Sequence, residues 1–205
     1  MTTIYDKIYK KAEIYWDTRG NDDHVPGSYD FAKRLLAYYT EADESIVLPA
    51  ILLHDVGWKI VPEEKHLNAF GPKATDTVTN RLHETEGVKI AEKILISLNY
   101  DADKIEEILS IIDGHDSRLE ALSLNDKLVK DADKLFRYTP AGVDFMLRCF
   151  GITLEDRTNY LDTVIESWFF TPEAKQMART ASRDEIKARL EALNVIRAFL
   201  KQGQR

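Results

Sequence analysis

The sequence lacks the features of a disulfide-stabilised, nucleic-acid-binding or membrane-spanning protein. Cys149 is the only cysteine among 205 residues, which excludes an intrachain disulfide and a cysteine-based zinc site and is typical of a reducing compartment. The formal net charge of -7 argues against broad nucleic-acid binding. No apolar run approaches the length of a membrane span, and the first residues lack the apolar core of a signal peptide. We therefore expect a cytoplasmic protein without a membrane partner, while homodimer formation stays open.

Alternating strand patterns, internal repeats and low-complexity segments are also absent from the sequence. Hydrophobic residues make up 44% of the chain, enough for a sizeable core, and they recur at helical spacing. We predict a single all-α domain over residues 1–205, with the motifs in a core over 20–140 and a C-terminal helical extension over 141–205. The predicted helices cover 4–19, 28–39, 46–53, 83–98, 101–112, 124–136, 141–150, 154–169 and 172–200.

Polar residues mark the starts of several of these helices. Short side chains that can accept hydrogen bonds from a first helical turn precede the apolar stripes at Ser28, Asp101, Ser123 and Thr171. The stretch 58–80 carries two prolines and a glycine and predicts an irregular segment, which inside a compact domain is usually functional or mobile. His66 lies in this stretch, and we expect it to be solvated.

The chain is organised around residues 50–57, where a buried helix runs into His54-Asp55 and then into Gly57. Burying an imidazole beside a carboxylate costs free energy unless something compensates for it. A metal ion compensates well, because it binds a neutral imidazole nitrogen and a carboxylate oxygen. A lone pair of this kind is more often a core histidine beside a helix-end aspartate, so the positions of the other histidines decide between the two interpretations.

Two further histidines share the apolar faces of predicted helices. His83 falls at helical spacing with the apolar stripe that follows it, and His115 lies four residues after Ile111. On the next helix Asp131 and Asp133 flank the apolar stripe on opposite sides, so periodicity does not choose between them. Several histidines and an aspartate that converge on one interior each need a partner, and a metal that prefers imidazole and carboxylate ligands provides one.

The order of these residues resembles the HD superfamily of metal-dependent phosphohydrolases, in which a histidine, a His-Asp pair and a distant aspartate follow one another. The matching residues are His24, His54-Asp55 and Asp133, and the resemblance covers about 20–140. It implies an HD-like helical bundle in which these four residues bind a divalent ion (Mn, Mg, Co, Ni, Zn or Fe). Asp133 is preferred to Asp131 because the acid of the family directly precedes a basic residue and leucine.

The segments that contain His83 and His115 resemble the next two helices of the family. The resemblance implies hydrolysis of a small phosphate ester or a nucleotide, with Asp55, His83 and His115 as catalytic residues. Asp55 would orient the attacking water, while the two histidines would bind a second ion, contact the phosphate or shuttle protons. The alternatives are a diiron oxygenase or a small-molecule hydratase with the same ligands, or a non-catalytic protein that binds a nucleotide.

Basic residues near the motifs are candidates for phosphate contacts. Some related branches place a lysine directly after the His-Asp-x-Gly motif, whereas here Trp58 takes that position and Lys59 follows it. Arginine offers the bidentate geometry that suits a phosphate, although a solvated surface charge is the commoner role for any one basic residue. The candidates for substrate contact are Lys59, Arg81, Arg118, Lys134 and Arg137.

Overall fold

The structure is built around one buried helix, which is the helix predicted to carry the central stretch. In this computed structural model, which describes residues 2–71, 74–181, 186–192 and 194, the chain is helical and the described part contains no strand. The predicted all-α fold class is confirmed. The helices are α1 (Ile4–Ala12), α2 (Asn21–Leu36), α3 (Glu44–Leu53), α4 (Glu63–Ala69), α5 (Thr77–Ser97), α6 (Ala102–Ile112), α7 (Leu124–Phe136), α8 (Pro140–Phe150), α9 (Leu154–Trp168) and α10 (Pro172–Thr180).

Helix α3 is the buried central helix, and every residue from Ile46 to Leu53 lies in the core. Helices α1, α2, α6 and α7 pack against it. A helix that is apolar all round needs such a complete shell, which explains its uniform hydrophobicity. His54 directly follows this helix and is therefore placed deep in the protein. Within the described residues, no helix combines the length and the apolar character needed to cross a membrane.

Three of the four predicted N-caps are confirmed. The side chains of Asp101, Ser123 and Thr171 each accept a hydrogen bond from a backbone N–H in the first turn of α6, α7 and α10. The prediction for Ser28 is wrong, because α2 already begins at Asn21 and Ser28 is buried within it. Packing of α2 against α3 and α7 outweighs the backbone hydrogen bond that the proline inside this helix cannot donate.

The stretch predicted to be irregular, 58–80, is largely helical. A 3-10 turn covers Val56–Ile60, α4 follows it, and α5 begins at Thr77 rather than at His83. The side chain of Asp76 accepts a hydrogen bond from the backbone N–H of Thr79 and so starts α5 before its apolar stripe begins. The helical pieces before α5 are too short for periodicity to reveal them.

His66 is buried, and the prediction that it is solvated is wrong. Its Nε2 lies 3.0 Å from the carbonyl oxygen of Val61, which is a hydrogen bond donated by the ring. The imidazole also packs edge-on against the indole of Trp58. A backbone carbonyl and an aromatic neighbour therefore replace the solvent that we expected around this side chain.

The predicted last helix, 172–200, is interrupted. Helix α10 ends at Thr180, Ala181 takes an extended conformation, and residues 186–192 are helical again. Ile186 and Leu190 of the predicted packing stripe are buried in the core. The other members of that stripe, Leu193, Ile196 and Leu200, lie outside the described residues.

Gly57 brings the end of the central stretch into direct backbone contact with α5. A Cβ atom at this position would lie 1.9 Å from the carbonyl oxygen of His83 and 2.5 Å from the backbone nitrogen of Gly87. No side chain fits at those distances, because the atoms it would meet belong to a helix backbone that cannot yield. The glycine therefore allows the chain after α3 to approach the turn of α5 that carries His83.

The substitution Gly57→Ala should lower the free energy of unfolding by at least about 3 kcal/mol, since the methyl group can be accommodated only by separating α5 from the end of α3. The matched control is Gly151→Ala. Gly151 has a φ of 62° and open space around it, so that variant should lose only about 1–2 kcal/mol from backbone strain. Chemical unfolding of both variants measures the difference, and equal losses would contradict the close approach.

Candidate metal centre

Four of the predicted ligand residues meet in one buried cluster, here called the first cluster: His24, His54, Asp55 and Asp133. The Nε2 of His24 lies 3.1 Å from Nε2 of His54, 3.4 Å from Oδ2 of Asp55 and 3.2 Å from Oδ1 of Asp133. The Nε2 of His54 lies 3.7 and 3.8 Å from the same two carboxylate oxygens. Nitrogen and oxygen ligands of one transition-metal ion lie about 3–4 Å from one another. The spacing of the first cluster therefore suits a single ion.

A second cluster lies on the other side of Asp55 and contains His83, His115 and Asp116. The Nε2 of His115 lies 3.4 Å from Oδ1 of Asp55 and 3.2 Å from Nε2 of His83. The Nε2 of His83 lies 3.7 Å from the same Asp55 oxygen and 3.9 Å from Oδ2 of Asp116. Asp55 thus presents one carboxylate oxygen to each cluster. These groups are close enough for a second ion.

Asp116 was not among the residues predicted from the sequence. The only available signal was its position directly after His115, in a loop that no periodic pattern describes. It differs from the other carboxylates of the site because its side chain remains 18% exposed, while those of Asp55 and Asp133 are almost fully buried.

Two of the histidines are held in the tautomer that metal ligands adopt. The Nδ1 of His54 lies 2.8 Å from the carbonyl oxygen of Ile51, and the Nδ1 of His115 lies 3.0 Å from that of Ile112. A carbonyl oxygen only accepts, so each Nδ1 carries a proton and donates it. The Nε2 of each ring therefore points at the clusters and is the atom at which a proton or a metal ion can bind.

The histidines differ in charge because their neighbours differ. Burial lowers the pKa of His54 and that of His83 to about 4, so both rings are neutral at physiological pH. Burial alone would lower the pKa of His115 as well. The hydrogen bond to Asp55 and the charge of Asp116 outweigh this effect and raise the pKa to about 9. In the protein without an ion, a proton on His115 supplies positive charge between two carboxylates, and a metal ion would displace it.

The carboxylates of the site are ionised. Burial favours the neutral acid, but the charge of Arg19 and the hydrogen bond to the protonated His115 hold the pKa of Asp55 well below its usual range. Burial also favours the neutral acid of Asp133. The charge of Arg137 is the strongest of the effects that hold the pKa of Asp133 well below its usual range. Together with Asp116, three carboxylates face two guanidinium groups, and without an ion the proton on His115 balances the remaining negative charge. A metal ion that displaces this proton would take over that role.

The loop that carries His115 and Asp116 is fixed by two buried charged side chains. Glu84 accepts hydrogen bonds from the backbone N–H groups of Asp116 and Ser117, at 2.9 and 2.8 Å. The ammonium group of Lys130 donates to three carbonyl oxygens of the same loop, at 2.7, 2.8 and 2.9 Å. Such saturation of backbone groups explains how a loop outside any helix holds two candidate ligands in place.

Trp58 occupies the position where some related sequences have a lysine, and it supports the clusters directly. Its indole N–H donates to Oδ1 of Asp55 at 3.1 Å. Its ring stacks on His83, with ring centroids 4.2 Å apart, and the guanidinium of Arg19 lies 4.4 Å from the indole centroid. The tryptophan therefore orients the carboxylate that the two clusters share as well as one imidazole of the second cluster.

Asp131, the competitor of Asp133, lies outside both clusters. Its carboxylate accepts hydrogen bonds from the backbone N–H groups of Phe170 and Thr171 and from the hydroxyl group of Thr171. It therefore fixes the segment that starts α10. This contact joins α7 to a part of the chain far away in sequence, which periodicity within α7 does not reveal.

A cavity of about 230 Å³ opens beside the first cluster. Of the five basic residues considered from the sequence, only Arg137 lines it among the described residues. Lys59 instead pairs with Asp17 at the surface. The other three also have partners elsewhere: Arg81 bonds Glu84 and Asp113, Arg118 bonds Asp126 and loop carbonyls, and Lys134 lies near the ring of Phe170. The cavity also contains Arg19 and Arg157, which sequence reasoning did not single out.

Removing the indole donor should weaken metal binding more than it weakens the fold. We expect Trp58→Phe to lower metal affinity by roughly 10–100-fold, because Asp55 loses the hydrogen bond that orients it. Trp16→Phe is the matched control, since Trp16 is equally buried but its indole N–H has no hydrogen-bond partner in the described structure. Metal titration with a competing chelator measures the affinities. Equal affinity in the two variants would contradict the role of Trp58.

Comparison with known proteins agrees with this geometry. A family model, described as the HD domain, matches residues 21–138, which is more than half of the chain and includes both clusters. No curated protein and no solved structure matches the chain significantly. The match therefore defines the family but carries no particular substrate with it. The chain belongs to the HD-domain superfamily of metal-dependent hydrolases.

Proposed function

We propose that the protein is a metal-dependent phosphohydrolase that acts on a small phosphate ester or a nucleotide and uses two divalent ions. The observation that supports this proposal most strongly is that the two clusters share the carboxylate of Asp55. Its Oδ2 faces the first cluster and its Oδ1 faces the second. A shared carboxylate between two imidazole-rich clusters is an arrangement suited to a pair of adjacent ions. Hydrolysis is the general activity of the family to which the chain belongs.

The donor set fits such ions. Imidazole and carboxylate ligands suit Mn, Co, Ni, Zn and Fe, and carboxylates also suit Mg. When bound, the ions supply Lewis-acid polarisation of the phosphoryl group and a water of lowered pKa. In this proposal His24, His54, Asp55 and Asp133 hold one ion, and His83, His115, Asp116 and Asp55 hold the other.

The side chains around the clusters then orient the reactants. Arg137 lines the cavity and lies 3.4 Å from Asp133 and 3.7 Å from Asp116, so its guanidinium is placed to donate hydrogen bonds to a phosphoryl group that enters there. Asp55 is held by the indole of Trp58 and by Arg19, so its oxygens have a fixed direction toward the attacking water. Phe136 lines the cavity and packs edge-on against His24, with ring centroids 5.0 Å apart, so it helps to orient that imidazole.

A diiron oxygenase is the second candidate, because the same shared carboxylate and the same four imidazoles can also hold two irons. The two functions differ in their measurable requirements. A hydrolase releases phosphate under anaerobic conditions with a redox-inert metal. An oxygenase requires iron and consumes oxygen in proportion to its product.

Metal content should distinguish the two clusters. We expect the protein to bind two equivalents of metal and His115→Ala to bind one, because that variant removes a ligand from the second cluster only. His66→Ala is the control, since His66 is a buried histidine that bonds a backbone carbonyl outside both clusters. It should retain two equivalents. Elemental analysis after dialysis gives the counts, and a full complement in His115→Ala would assign that histidine to the core.

Phosphate release from a panel of phosphate esters and nucleotides, with each candidate metal in turn, tests the activity itself. We expect turnover in the native protein and none in Asp55→Ala, which removes an oxygen from each cluster while circular dichroism retains its helical signal. Asp131→Asn should remain active, because Asp131 only fixes the start of α10. Undiminished turnover in Asp55→Ala would exclude the proposed site.

A further inference from the structure

Arg157 is a buried arginine in α9, beyond the part of the chain that matches the family. Only 2% of the residue is exposed. Its Nε and Nη2 atoms are buried and have no hydrogen-bond partner among the described residues, and no described carboxylate forms an ion pair with it. A guanidinium group carries five N–H donors, and burying it without an acceptor is unfavourable. The guanidinium lies 5.7 Å from the ring centroid of Tyr160, but no described group accepts a hydrogen bond from Nε or Nη2, so both atoms are available to an acceptor from outside the protein.

The other arginines of the cavity differ from Arg157 because they have carboxylate partners. Arg19 donates to Asp55 at 2.9 Å, and Arg137 pairs with Asp133 and Asp116. Burial lowers the pKa of Arg157 to about 10, so this side chain still carries its charge at physiological pH. Within the described lining of the cavity, its charge is the one that no acid balances.

The cavity connects this charge to the candidate metal centre. Arg157 lines it together with His24 and Asp116, one residue from each cluster. The rest of the lining includes apolar side chains, among them Phe145, Met146 and Trp168. A volume of 230 Å³ equals about eight water molecules at roughly 30 Å³ each, which is the size of a small metabolite.

We propose that Arg157 anchors a second anionic group of the substrate, so that the substrate is a small compound that carries two oxyanions. The planar guanidinium can bind a carboxylate or a phosphate through two parallel hydrogen bonds. That the other oxyanion is the phosphoryl group at the clusters rests on the proposed function. The anchoring role of Arg157 itself does not depend on the reaction.

A pair of non-hydrolysable probes tests the anchor by binding alone. Phosphonoacetate carries a phosphonate and a carboxylate, whereas ethylphosphonate has an uncharged methyl group in place of the carboxylate. Calorimetry on the metal-loaded protein should show at least about tenfold tighter binding of phosphonoacetate. In Arg157→Met that ratio should fall to about one. Arg148→Met is the control, because Arg148 is exposed, pairs with Asp144 and lies outside the cavity, and it should preserve the ratio.

The melting temperature without ligand separates an anchor from a structural residue. Methionine replaces a buried charge with an apolar chain of similar length, so Arg157→Met should melt at or above the temperature of the native protein. If this variant does not fold, Arg157→Lys can be used instead. It retains the charge but loses the planar guanidinium with its paired donors, so the ratio of the two probe affinities should fall to an intermediate value. The comparison of the two probes on the native protein tests the proposal even if a variant does not fold.

Two results would overturn the proposal: equal binding of the two probes by the native protein, or a ratio that survives in Arg157→Met. If the ratio survives because both probes bind more weakly by the same factor, Arg157 contacts the phosphonate itself. Failure of the proposed function is distinguishable from these outcomes. If no phosphate ester is hydrolysed but the ratio still depends on Arg157, the anchor stands and the reaction must be a different one.

Discussion

The buried carboxylate of Asp55 is the group on which the rest of the site depends. One of its oxygens lies among the imidazoles of the first cluster and the other among those of the second. An ionised carboxylate at this depth is unfavourable unless cationic and hydrogen-bonding groups surround it. Arg19 and Trp58 supply part of that environment, and metal ions would supply the remainder. The groups that stabilise this buried charge are therefore the same groups that position the candidate metal ligand.

Five separate segments of the chain meet at this carboxylate, and the fold holds them in place. The apolar helix α3 fixes the depth of His54 and Asp55, and Gly57 lets the following turn contact the backbone of α5 at His83. Glu84 and Lys130 then hold the loop that follows α6. The N-terminal part of α2, with His24, and the C-terminal part of α7, with Asp133, complete the set. Glu84 and Lys130 bond backbone groups and Asp55 pairs with Arg19, whereas Arg157 has neither kind of partner among the described residues.

The sequence predicted the elements whose signal is local. The helical stripe of α5 placed His83 inward, and the uniformly apolar run 46–53 was correctly predicted to be a buried helix. His115 is buried as predicted, but it lies in the loop after α6 and not on a helical face, so helical spacing does not explain its position. The failures have different causes. Helix α2 begins early because it packs against α3 and α7, the helices before α5 are too short for periodicity to reveal, and His66 is covered by its neighbours Trp58 and Val61. The site has misses of its own. Asp116 and Arg157 lie in segments with no recognisable motif, and only the folded chain places them in the cavity.

The central claim is that Asp55 is shared by two metal sites. An anomalous difference map from a crystal of the manganese-loaded protein tests it most directly. The account predicts two peaks, one on each side of the Asp55 carboxylate and about 3.5–4 Å apart. The first should lie among His24, His54 and Asp133, and the second should lie beside His83 and His115. A single peak, or two peaks on the same side of Asp55, would contradict the account.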